Sequence, residues 1–166
     1  MASGTERLYY RDSYQREFTA RVVRSTPAGD QAEVVLDRTA FYPDGGGQPT
    51  DLGQLGGATV TGVVDQDGEI VHIVRGDVPS GEVTGYVDWD RRFDHMQQHT
   101  GQHILSQAFE RLFGAKTVSF HMGSDVSTID LAAPGLDAEQ VAAAEDLSNS
   151  VVFENRPVLV HFLDSS

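Results

Sequence analysis

At about residue 90 the hydrophobic pattern of this chain changes period, and that change limits the folds open to it. Before it, short β-rich runs alternate with turn residues. Residues 18–25 and 31–37 flank Thr26-Pro27-Ala28-Gly29-Asp30. Residues 59–64 and 69–74 flank Asp65-Gln66-Asp67-Gly68, and residues 83–89 add one more run. Short strands at this spacing, rich in glycine, predict a small β-barrel. After the change, Ile104, Leu105, Ala108, Phe109 and Leu112 recur at helical spacing within 91–113, and Gly114 is a natural stop. Residues 118–121 and 126–131 predict a strand pair around Gly123-Ser124-Asp125. Asp137, with Gln140 three residues on, predicts a capped helix running to about Asn155. Pro157 ends it, and 158–163 reads as a strand. The expected fold class is therefore α+β, with a glycine-rich β-barrel at 1–90 and an α+β unit at 91–166. Phe109, Leu112 and Phe113 are expected in the core. Ala142, Ala143, Ala144 and Val151 are expected on the packing side of the second helix. His72 and His161 are expected in strands, in structural roles.

The chain has 166 residues, 39% of them hydrophobic, which suits one domain or two small lobes. It has no cysteine, so disulfides, thiol catalysis and cysteine-bound metal are closed to it. It shows no secretion signal and no apolar run of about 18 residues, so a cytoplasmic location is expected. The formal net charge is −13. Seven basic and fifteen acidic residues precede position 91, and five and ten follow. A self-sufficient nucleic-acid binder usually carries a basic face, so any contact with nucleic acid must be local. Arg91 and Arg92, beside Trp89, are candidates for such a contact or for a solvated helix start.

Two segments could carry chemistry. In His95-Met96-Gln97-Gln98-His99-Thr100-Gly101-Gln102-His103, histidines recur every four residues on one predicted helix. Side chains four apart share a face, and two such imidazoles can converge on one metal ion at ~2.0–2.1 Å. A polar helix face that merely contains histidine is the plainer alternative. Thr100 stands where a zinc protease would carry glutamate, which disfavours that activity. The second segment is Phe41-Tyr42-Pro43-Asp44-Gly45-Gly46-Gly47-Gln48-Pro49-Thr50-Asp51-Leu52-Gly53. Its three glycines allow a tight turn, the plainer reading, or close approach of a ligand. It matches neither phosphate-binding loop pattern.

Together, at about fifty residues' separation, these segments resemble the editing domain of alanyl-tRNA synthetase, and especially the freestanding alanyl-tRNA editing proteins (the AlaX group). The resemblance runs from about residue 15 to 166. It implies a translation-factor-like barrel followed by an editing domain of the kind shared by threonyl- and alanyl-tRNA synthetases. It implies deacylation of tRNA(Ala) mischarged with serine, and in some members glycine, with the tRNA acceptor end as partner. By position, His99 and His103 would be two zinc ligands, and Gln102, Thr117, Ser119 and His121 would line the catalytic pocket. Gly45, Gly46, Gly47, Gln48 and Asp51 match the glycine-rich substrate-binding motif. His95 is read as a surface or supporting residue.

The match departs in one respect. The family completes its zinc site with a Cys-x-x-x-His segment, and this chain has no cysteine. An N-terminal piece of a longer protein is the expectation that follows, with weak zinc binding and little hydrolysis by the chain alone. Gln102, Thr117 and Ser119 are the candidates for contact with the seryl hydroxyl. A non-catalytic module binding tRNA or a protein partner is the rival reading, and a metal-dependent hydrolase of small esters comes third.

Overall fold

The computed structural model describes residues 4–159 and 161. By internal contacts the chain divides into two compact units, Met1–His95 and Met96–Ser166, against an expected boundary at 90. The strands are β1 (Glu6–Arg7), β2 (Glu17–Ala28), β3 (Gln31–Leu36), β4 (Arg38–Thr39), β5 (Gly53–Leu55), β6 (Ala58–Gln66), β7 (Glu69–Arg75), β8 (Glu82–Val87), β9 (Lys116–Met122) and β10 (Ser127–Ala132). The helices are α1 (Trp89–Phe113) and α2 (Ala138–Phe153). The chain is thus mixed α+β. No helix among the described residues is long and apolar enough to cross a membrane.

In the first unit six antiparallel strands hydrogen-bond in the order β2-β3-β7-β6-β5-β8, and β8 pairs back on β2 to close a barrel. Irregular register at Val22/Arg24 and Val60/Gly62 marks bulges, which bend strands enough to close a sheet. Alternation then does the sorting. Phe18 and Ala20, Val34 and Leu36, Ile70 and Val74, Val83 and Val87 all point inward. Full burial of each large apolar side chain is worth roughly 1.5–3 kcal/mol. Gly53 is required by close approach: a Cβ there would lie 2.0 Å from the Tyr86 carbonyl oxygen.

His72, on β7, is fully buried in this core. Its Nδ1 lies 3.0 Å from the Val34 carbonyl oxygen, which can only accept, so Nδ1 carries the proton. Nε2 then accepts from the Thr39 hydroxyl at 2.8 Å, and Thr39 Oγ1 accepts from the Phe41 amide at 3.1 Å. Burial pushes the His72 imidazole down to about 4.

The second unit is smaller. β9 and β10 form an antiparallel hairpin. Ala108, Phe109, Ala115 and Ala144 make its core, with Leu105, Phe113, Leu131, Leu136 and Leu147 packed around them. Asp137 accepts from the Gln140 amide at 2.9 Å, and the Gln140 side chain accepts from the Asp137 amide at 3.0 Å. This reciprocal cap opens α2 as its residues dictate. At the end of α1, the Ala115 amide reaches back to the Phe109 carbonyl past Gly114.

Three expectations about packing need correction. Leu112 is 43% exposed, because it lies in the last turn of α1 outside this small core. Of Ala142, Ala143 and Ala144 only Ala144 is buried, since three consecutive helical residues fan around most of the axis. Val151 is half-buried. His161 is exposed and belongs to no described strand. Most of the strand expected at 158–163 lies outside the described residues; Val158 and Leu159 carry no strand hydrogen bonding and are exposed.

Candidate active site

In the second unit, the spacing of His99, Gln102, His103 and Ser106 lays them along one stripe of α1. The rings of His99 and His103 stack with centroids 4.9 Å apart and planes at 21°. His99 is half-buried and His103 exposed. Burial, and then the neighbouring His103, lower the His99 pKa, so its imidazole is held neutral near pH 7. β9 passes along this stripe. Thr117 Oγ1 donates to Ser106 Oγ at 2.7 Å, and the Phe120 ring lies 6.2 Å from that of His99. Gln102 Nε2 donates to the same Ser106 oxygen at 2.7 Å. On its other flank, His103 borders a groove of about 450 Å³ between α1 and α2, lined also by Thr100, Ile104, Ala108, Leu147 and Val151.

Gln102 and Thr117 therefore converge, as two of the expected pocket residues. Ser119 does not join them. Its hydroxyl donates to the Asp130 carboxylate across the hairpin, and the residue is exposed. His121 is exposed on β9 opposite Thr128.

The glycine-rich segment lies in the first unit. Gly45 and Gln48 exchange two backbone hydrogen bonds at 3.1 Å around Gly46 and Gly47, whose φ values are 62° and 82°. A two-residue turn with positive φ at both central positions favours glycine. A Cβ on Gly45 or Gly46 would meet nothing within 4 Å, so crowding does not account for either. Gln48 is buried. Asp51 is 1% exposed, and its carboxylate accepts from the Tyr42 amide at 2.7 Å and from the Arg92 guanidinium. Arg92 Nε lies 2.9 and 2.8 Å from the two Asp51 oxygens, and its Nη atoms donate to the Ser13 and Ala40 carbonyls. Asp51 thus braces the turn rather than opening toward a ligand.

Two expectations fall here. Arg92 is neither a solvated helix start nor a nucleic-acid contact: it is 2% exposed, because a fork of donors can satisfy a buried carboxylate and two carbonyls together. Of the two readings of His95, surface or supporting, the surface one falls. It is 6% exposed, its Nδ1 has no hydrogen-bond partner among the described residues, and burial lowers its pKa. Arg91 is half-buried, with Nε donating to the Thr50 carbonyl at 3.1 Å.

The family model of class II (A) tRNA synthetases matches residues 3–91. AlaX-M, an alanyl-tRNA editing protein of Methanosarcina acetivorans, is 39% identical over 96% of this chain and 69% of its own length. The chain belongs to the alanyl-tRNA editing family. Within it, Aarsd1 of Mus musculus, also an alanyl-tRNA editing protein, is 41% identical over 94% of this chain. AlaX-L of Pyrococcus horikoshii is 40% identical over 96%. The chain spans 41% of the length of each of these two relatives.

The donors present do not make a complete zinc site. His99 and His103 offer two imidazoles one turn apart, but no group of three or more histidine, cysteine, aspartate or glutamate residues among the described residues could hold a metal ion. A structural zinc site takes four protein ligands, and a catalytic one three. Sequence reasoning also passed over Ser106, the oxygen on which Gln102 and Thr117 meet. Its position seven residues after His99, on the same stripe, was the available signal.

Proposed function

We propose that this chain carries the amino-acid pocket of a trans-editing deacylase for mischarged tRNA(Ala), with Ser-tRNA(Ala) as the preferred ester and Gly-tRNA(Ala) as a second. The observation that carries the reading is the convergence of Gln102 and Thr117 beside the His99–His103 stripe, in a chain of the editing family. The barrel is of the translation-factor type that the family resemblance implies, and the partner is the tRNA acceptor end.

The chemistry is ester hydrolysis, and the harder task is selection. A pocket shaped for alanine rejects serine poorly, whereas a pocket built to bond a hydroxyl rejects the analogue lacking it well. Gln102 and Thr117 supply that bonding here. Ser119, exposed on the hairpin and bonded to Asp130 away from Ser106, does not. Among Ser-tRNA(Ala), Ala-tRNA(Ala) and a small seryl ester, this chain is expected to hydrolyse the first fastest, however slow the absolute rate. Thr117→Val or Gln102→Ala should reduce the serine-to-alanine ratio about tenfold, the worth of one buried hydrogen bond, and Ser119→Ala should leave it where it was. Equal rates on Ser- and Ala-tRNA(Ala) in the unmodified chain would overturn the reading.

For zinc, the two-imidazole set leads to weak binding by this chain, and none of the chemistry above is routed through the metal. Calorimetric titration is expected to show no tight stoichiometric uptake, with the small heat that remains abolished in His99→Ala. Tight one-to-one binding would contradict this.

A second reading, a non-catalytic tRNA-binding module, is favoured by the same shortage of metal donors. Retention of Ser-tRNA(Ala) without any deacylation would select it.

A further inference from the structure

We infer that Ser106 is a positioning residue that sets the hydrogen-bond polarity of the pocket, making Gln102 and Thr117 present acceptors to the bound aminoacyl group. The inference rests on the reading of this stripe as an aminoacyl-ester pocket, and it deepens that reading by assigning what the pocket asks of its ligand.

Ser106 Oγ receives two donors, the Gln102 amide and the Thr117 hydroxyl, each at 2.7 Å. A hydroxyl oxygen has two lone pairs, and these bonds use both. The consequences for the donors differ. Gln102 turns its nitrogen toward Ser106, which spends one of its two amide hydrogens there and leaves Oε1 to accept. Thr117 has one hydroxyl hydrogen and spends it on Ser106, so its oxygen toward any ligand can only accept. Gln102 and Ser106 are neighbours at i,i+4 on α1, and Thr117 arrives from β9. All three residues are half-buried, where an unmet acceptor costs more than in open water.

Two acceptors facing one ligand select for hydrogen-bond donors. A seryl Oγ–H can give its proton to either oxygen. An alanyl methyl gives none and leaves both unmet. Had Ser106 been alanine, the Thr117 hydroxyl and the Gln102 amide would both be free to rotate. The pocket could then present donors or acceptors and would discriminate less. Ser106 touches no substrate in this scheme, because it acts through the two side chains it holds.

The test uses this chain and two non-hydrolysable probes, 3′-seryl-amino and 3′-alanyl-amino 3′-deoxyadenosine, with affinities measured by calorimetry. The unmodified chain is expected to favour the seryl probe. Ser106→Ala should cut the seryl-over-alanyl ratio about tenfold, chiefly by weakening the seryl probe. Ser106→Thr keeps the oxygen and should restore the ratio, which a purely packing role for Ser106 would not predict. Without any probe, the side-chain amide resonances of Gln102 should shift and exchange faster in Ser106→Ala, while the backbone spectrum elsewhere stays in place. If the unmodified chain prefers the seryl probe and Ser106→Ala retains the full ratio, the role of Ser106 is refuted and the pocket reading survives. If the unmodified chain binds the two probes equally, or binds neither, the pocket reading fails and Ser106 with it.

Discussion

Replacing Arg92 with alanine should destabilise the first unit by roughly 3–5 kcal/mol, the range for removing one partner of a buried ion pair. The side chains of Arg92 and Asp51 are 3% and 0% exposed. Arg92 bonds both Asp51 oxygens and the carbonyls of Ser13 and Ala40, so one side chain ties three chain segments to the start of α1. Alanine would leave a buried carboxylate whose remaining hydrogen-bond support among the described residues is the Tyr42 amide. Arg92→Lys should recover only part of the loss, since an ammonium cannot span two carboxylate oxygens and two carbonyls in one plane. Trp89, three residues away and the sole tryptophan, offers the fluorescence signal for denaturant unfolding. A loss below about 1 kcal/mol, the value of an exposed pair, would show that the contact is not dry.

Acid should weaken the barrel through His72. Its folded pKa is pushed down to about 4, from the ordinary histidine value of about 6.5. Between those values the unfolded chain binds a proton that the folded chain refuses. Stability is therefore fully present above about pH 6.5 and falls as the pH drops toward 4. At 1.36 kcal/mol per pH unit this amounts to about 3 kcal/mol. The structural cause is burial: a charged imidazolium would sit in the apolar barrel core, away from water. His72→Gln should start less stable at pH 7 yet lose less between pH 7 and 4.5. Thermal melts of both proteins across that interval decide it; parallel slopes would remove His72 as the cause.

Much of the fold was readable because its causes are local. Asp137 and Gln140 are three residues apart, and the cap they form needs nothing else. The Gly46-Gly47 turn follows from a backbone conformation that other residues resist. The His99–His103 pair follows from helical spacing. Composition excludes cysteine ligands from this chain. What failed was inference about burial. Arg92 reads as a nucleic-acid contact or a solvated helix start because arginine is usually exposed, and nothing near it in sequence announces Asp51, 41 positions earlier. The sequence leaves His95 open as a surface or supporting residue, and only the fold, which covers it, removes the first.

The histidine spacing, the glycine turn and the helix cap are written into short stretches of residues, because each depends on atoms within a turn or two of backbone. The fates of Asp51, Arg92 and His72, and the meeting of Gln102 and Thr117 on Ser106, belong to the assembled chain. A buried polar atom is stable only against a partner, and here those partners come from distant strands and loops that folding alone brings within 3 Å.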